Sequence, residues 1–208
     1  MNPSPDRQAL TGSLVFSAAI VFLLLCLSAL LRDNVTSNEV TKFTDALQQL
    51  DPSWIPGLFP NGPESGRRQW LYQLLLGPFL LRGDFLAASL VGRLGGYLVL
   101  ATGLALLFRA VGLRGYFAAP MLALMLRFPS VIAGESILPL AEPKLYSYGL
   151  AFLALGLALR QPVRFPAIAV ALGLATSFHV LVGLYATFST AIVILARDPR
   201  APFRGRAP

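Results

Sequence analysis

The chain has 208 residues, 55% of them hydrophobic and 13% charged, a balance that excludes a disordered chain and most soluble domains. Its net charge of +7 would suit nucleic acid, but the basic residues fall mainly in short connections between apolar blocks. Membrane topology and anionic headgroups explain that placement, so no nucleic-acid partner is expected, and the single Cys26 excludes an intrachain disulfide.

In chain order, Gly12–Leu31 comes first, twenty residues without a charge. A helix of that length spans roughly 30 Å, the thickness of a bilayer core. It reads as an uncleaved span, because its apolar core exceeds a signal-peptide h-region and no small-x-small cleavage site follows. The 32–69 loop then carries five acids and four bases. Within it Val40, Phe43, Leu47 and Leu50 recur at spacings of three, four and three, which predicts an amphipathic helix over 38–50 lying on the outer membrane surface. Asn38 is its expected N-cap, Glu39 sits in its first turn, and Asp51-Pro52 ends it. Trp54 to Pro63 is a Pro/Gly-rich turn segment, and Asn34-Val35-Thr36 fits a glycosylation sequon.

Trp70–Leu81 is too short to cross and reads as an interfacial or half-membrane helix. Phe85–Phe108, Tyr116–Ala133 and Leu145–Leu159 follow as membrane blocks. Phe165–Ala196 has 32 residues, roughly 48 Å as one helix, and is expected to be a hairpin turning near Ser177–His179. A hairpin returns the basic 197–208 tail to the side of the 109–115 and 160–164 connections, which carry arginines and no acid. That side reads as cytoplasmic, and the 32–69 and 134–144 loops as external. The expected fold is all-α: one polytopic membrane domain over 1–208, with about five to six membrane-embedded helices, most of them in a 70–196 bundle, plus the external surface helix.

This topology collects the candidate site residues on the outer side. Glu39, Asp45 and Asp51 belong to the first loop, Glu135, Glu142 and Lys144 to the second, and Arg82 and Asp84 stand at the outer end of the Phe85 block. The carboxylates are suited to act as a general base or to hold a divalent cation, and Arg82 and Lys144 to hold a phosphate. Taken singly, each is also what a wet loop needs. The only histidine, His179, stands among small residues. It is a candidate proton shuttle, metal ligand or carboxylate partner, and, with Ala175 clearing room one turn earlier, an axial ligand for a chlorophyll-like pigment; an interhelical hydrogen bond is the plainer role. Arg93 and Arg127 lie at membrane depth, where an ionisable group is costly and a functional site is the default hypothesis. Gly92 and Gly96 flank Arg93 as a close-packing ridge, so Arg93 is expected to point into the bundle and pair with an acid or a carbonyl. No phosphate-binding P-loop, zinc helix or nucleophile elbow is present.

A first span followed by a large acidic outer loop with a surface helix, then short irregular spans, resembles the N-terminal half of the GT-C class of membrane glycosyltransferases and its bacterial relatives. Leu50-Asp51-Pro52, Glu142-Pro143-Lys144 and Phe178-His179-Val180-Leu181-Val182-Gly183 carry the resemblance. It implies a polyprenyl-phosphate-linked sugar as donor and a first-loop carboxylate (Glu39, Asp45 or Asp51) as base and metal partner. From their placement in the outer cleft and the bundle, Glu135 or Glu142 is expected as a further acid, and Arg82, Lys144, His179 and Arg93 are expected toward the substrate. The resembled enzymes have many more spans, and this chain lacks the adjacent acid pair often found in their first loop. A second class therefore stands beside the enzyme: an accessory subunit of a larger membrane complex, with a pigment-bearing complex as one case. Tags at both termini are expected to be reachable only from the cytoplasmic side, and an N-terminus reached only from outside would overturn this topology.

Overall fold

The computed structural model describes residues 5–27, 35, 37–51, 53–54, 70–113, 117, 120, 131–132, 135–136 and 141–197. Among them are seven α-helices: α1 (Pro5–Leu25), α2 (Ser37–Leu50), α3 (Trp70–Leu80), α4 (Phe85–Ala110), α5 (Pro143–Ala158), α6 (Phe165–Phe178) and α7 (Val180–Arg197). The all-helical expectation holds apart from one short antiparallel pair, β1 (Val131–Ile132) with β2 (Glu135–Ser136), in register Val131↔Ser136 and Ile132↔Glu135. This pair takes the end of the block expected to run helically to Ala133. Most of that block, Arg127 included, lies outside the described residues.

Two helices, α4 and α7, are long and apolar enough to cross a bilayer. The apolar part of α1, Leu14–Leu25, is shorter, as are α3 and α6. The first helix also departs from the expected 12–31 block. It begins at Pro5 and gives way to a π-type turn at Cys26–Leu27, beyond which the next residues lie outside the description.

Local chemistry sets the corners. The α3–α4 corner is a Schellman turn: Gly83 (φ 74°) donates to the Leu80 carbonyl and Asp84 N–H to that of Phe79. Asp84 then caps α4, its Oδ1 accepting from Ala87 N–H at 2.9 Å. Pro143 opens α5 in its first turn, where its missing N–H costs nothing.

The most extensive interface joins α4 to α5. Glycine allows the two backbones to touch. A Cβ on Gly149 would stand 2.7 Å from Leu100 N, and one on Gly156 would stand 2.9 Å from Leu107 N. A Cβ on Gly92 would meet Ala141 Cβ at 2.8 Å, so the ridge read around Arg93 is a packing surface. Because Gly92 meets Ala141, Leu100 meets Gly149 and Leu107 meets Gly156, α4 and α5 run parallel. The end of α4 and the start of α5 therefore lie at opposite ends of the bundle.

The block 165–196 is two helices, broken at His179 in extended backbone (φ −153°, ψ 107°). They fold back as a hairpin. Ser147 Oγ near the start of α5 donates to Ala175 O at the end of α6, and Arg197 Nη1 at the end of α7 donates to Ala158 O at the end of α5. The ends of α4, α5 and α7 and the start of α6 thus share one end of the bundle. Toward the outside, α7 exposes Leu181, Leu184, Tyr185, Phe188, Ile192 and Leu195, a stripe at helical spacing.

Gly149→Leu is expected to force α4 and α5 apart and to destabilise the bundle by about 3 kcal/mol or more, the upper end of overpacking costs, read as a lowered melting temperature in detergent. Unchanged melting would refute the close-packed α4–α5 contact.

Candidate functional site

Helix α2 docks onto the bundle through one carboxylate. Glu39 is completely buried, although it sits on an otherwise polar helix. Its Oε1 accepts from Arg93 Nε at 2.8 Å, Ser89 Oγ at 3.3 Å and Ala141 N–H at 2.6 Å, and its Oε2 accepts from Arg93 Nη2 at 2.7 Å. The two arginine bonds form a fork, the strongest geometry available to a carboxylate. Ser89 and Arg93 stand four apart on α4, and so share a face. Four donors from α4 and the 141 backbone fill the Glu39 oxygens.

Around this clamp lies an aromatic floor. Phe43, Ala46 and Leu47 of α2 pack with Tyr72, Leu76 and Leu80 of α3, Ala88 of α4, and Ala141 and Tyr146. The Tyr72 hydroxyl donates to Ala141 O and the Tyr146 hydroxyl to Gly92 O, the latter at 2.7 Å. Tyr146 stacks on Phe178 with centroids 4.7 Å apart. Gln73 donates to Gln49, tying α3 to the far end of α2.

This geometry revises several sequence readings. Val40 and Leu50, expected on the apolar face of α2, are 42% and 39% exposed, and the buried face runs through Glu39, Phe43, Ala46 and Leu47. The helix is rotated because an ion pair, invisible to a count of apolar residues, outweighs one valine contact. It is docked on α3 and α4 rather than lying free. The helix also begins at Ser37, so Asn38 falls in its first turn rather than at the cap.

Glu39, expected as a base, is fully buried, and both of its oxygens accept from Arg93, so its observed role is that of a structural clamp. Arg93, expected to bind substrate, is 2% exposed and spends its fork on Glu39, as the pairing expectation required. Asp51 does not join a site: its Oδ1 accepts from Ser53 N–H at 3.0 Å and Ser53 Oγ at 2.5 Å, which turns the chain out of α2. Arg82 is exposed at the α3–α4 corner. Glu135 lies in β2, and its side chain is outside the description.

Four of the expected residues do converge near the clamp. Glu142 is buried at the N-cap position of α5 and, with Glu39, acts electrostatically on the Tyr72 hydroxyl. Lys144 follows it, and burial and the charge of Lys42 both hold its ammonium below the ordinary lysine range. His179 lies within the field of both lysines, at the α6–α7 elbow. Its Nδ1 accepts from Val182 N–H at 3.4 Å, the long bond of an N-cap. Burial raises the Asp45 carboxyl above its ordinary range while Lys42 pulls it back. Ala175 does not clear room for a macrocycle beside His179. It is fully buried against α5, and its carbonyl accepts from Ser147 and from His179 N–H. Among the described residues no three His, Cys, Asp or Glu side chains are grouped to hold a metal ion.

Sequence reasoning missed Lys42 and Ser89. Both carried a signal: Lys42 is three residues from Glu39 and Ser89 four from Arg93, each on its neighbour's helix face. The chain matches no family model, no curated protein and no solved structure.

Glu39→Leu and Arg93→Met are each expected to cost about 3–5 kcal/mol, because each strands a buried charge. The double variant is expected to melt closer to the parent than either single one, with a coupling of about 2 kcal/mol or more. Additive losses would show that the two side chains stabilise the fold independently.

Proposed function

We propose that the protein is a multi-pass membrane protein that binds the phosphate of a polyprenyl-phosphate-linked sugar at the outer end of its bundle, as the resemblance to GT-C enzymes implies. What supports this reading is that Lys42, Lys144 and His179 lie within electrostatic reach of one another at the end where α2 docks. Two ammonium groups and an imidazole suit a phosphate approaching at headgroup depth. Membrane residence is supported by two spanning-length helices and by the apolar stripe of α7, which suits acyl chains.

Orientation follows from charge. Arg109, Arg160, Arg164 and Arg197 stand on the ends of α4, α5 and α7 and the start of α6, all at one end of the bundle. Glu39, Lys42, Asp84, Glu142 and Lys144 belong to the other. The cationic end faces the cytoplasm and the mixed end faces out.

In this reading Glu39 and Arg93 hold α2 in place, and the base passes to Asp45 or Glu142. Asp45 is the better candidate, since a raised carboxyl lies nearer the pH at which a general base works best. The accessory-subunit reading draws on the same α7 stripe, which suits a partner helix as well as lipid.

Full-length protein in nanodiscs is expected to bind polyprenyl phosphate, and Lys42→Ala/Lys144→Ala to weaken that binding by about tenfold or more while melting like the parent. Equal affinity in the double variant would move the phosphate site elsewhere. Binding without transfer from any lipid-linked sugar would favour the accessory role.

A further inference from the structure

At the opposite end of the bundle from the Glu39 clamp, the turn between α5 and α6 encloses a cleft of about 60 Å³ lined by Leu157, Arg160, Gln161, Pro162 and Arg164. The geometry points to this cleft as a binding site for a single phosphate group, with the Arg160 and Arg164 guanidiniums as its ligands.

Size decides the class of ligand. One water needs roughly 10–15 Å³ measured this way, so the cleft holds a group of several heavy atoms. Pockets for whole small molecules run to roughly 300 Å³ and above, so a nucleotide or a pigment does not fit. A tetrahedral phosphate does, with the remainder of its molecule outside.

Charge decides the sign. Arg160 and Arg164, exposed and four residues apart, line one small space, and no acid is in its lining. Among the described residues neither Arg160 nor Arg164 has an ion-pair partner. Arg197 is brought to the same end by its bond to Ala158 O, which adds a third cation nearby. Guanidinium forks match phosphate oxygens better than ammonium groups do. Leu157 and Pro162 add apolar lining, which suits the glycerol end of a lipid headgroup.

The shared chemistry is a phosphate monoester or diester, supplied either by an anionic lipid headgroup or by free phosphate. The lipid source rests on the membrane reading above; the phosphate chemistry does not. It is independent of the lysine site at the other end.

The test uses the full-length protein in neutral detergent, with native mass spectrometry counting molecules retained after addition of phosphatidylglycerol, phosphatidylcholine or inorganic phosphate. Arg160→Gln/Arg164→Gln is expected to lose phosphatidylglycerol retention by about tenfold or more. Arg204→Gln/Arg206→Gln, which removes the same charge from the tail, is expected to retain it as the parent does. Arg160→Lys/Arg164→Lys, which keeps the charge and loses the fork, is expected to fall between them. Displacement of the lipid by millimolar inorganic phosphate identifies a free-phosphate site, and retention in its presence identifies a headgroup site; either supports the proposal. Equal retention by the glutamine variant, or equal binding of phosphatidylcholine and phosphatidylglycerol that all variants share, overturns it. A melting curve for each variant separates lost binding from lost fold.

Discussion

One carboxylate organises the end of the bundle where α2 docks. Glu39 joins α2 to α4 through Arg93 and Ser89, and to the segment before α5 through Ala141 N–H. A buried ion pair gives little net stability over apolar packing, but it is intolerant of alternatives. An acid in an apolar seam has a low-energy position only where four donors converge, and that fixes the rotation of α2 about its axis. The rotation in turn sets which of its polar residues face Lys144 and His179. Lys42 reaches them because Glu39 points inward.

Much of the bundle was legible because its signals are local. The hairpin followed from the basic tail, which one 32-residue helix over 165–196 would have carried to the side opposite the other arginine-rich connections. The α4 ridge followed from glycines four apart, and the inward turn of Arg93 from the company it keeps. The rotation of α2 was not legible, because apolar periodicity gives a buried acid the wrong sign. The partner of Arg93 was not legible either: it lies 54 residues away, a distance no local pattern spans. Nor was the small β1–β2 pair, whose two-residue strands are too short to show an alternation.

The parallel course of α4 and α5 gives the bundle two chemically unlike ends. The end of α4 lies at the cationic end and the start of α5 at the mixed one. The charge asymmetry read along the sequence thereby becomes an asymmetry in space. The phosphate sites proposed for the two ends use different cations, lysines at one and arginines at the other. Mobile ammonium groups suit a ligand that must leave, and a guanidinium fork suits one that stays.

The clamp also has a history in the order of synthesis. Glu39 is made first, its guanidinium partner 54 residues later and its Ala141 amide 102 residues later. At a ribosomal rate of roughly 5–20 residues per second, about 5–20 s separate the acid from its last donor. Throughout that interval Glu39 waits on a polar helix, where water serves it well. Arg93 never waits: when α4 emerges, its counter-charge already exists. Had the two residues been exchanged between the helices, the carboxylate would have come second, on an apolar helix, and lacked its amide donor there. The chain direction places the solvated half of the pair ahead of the buried half.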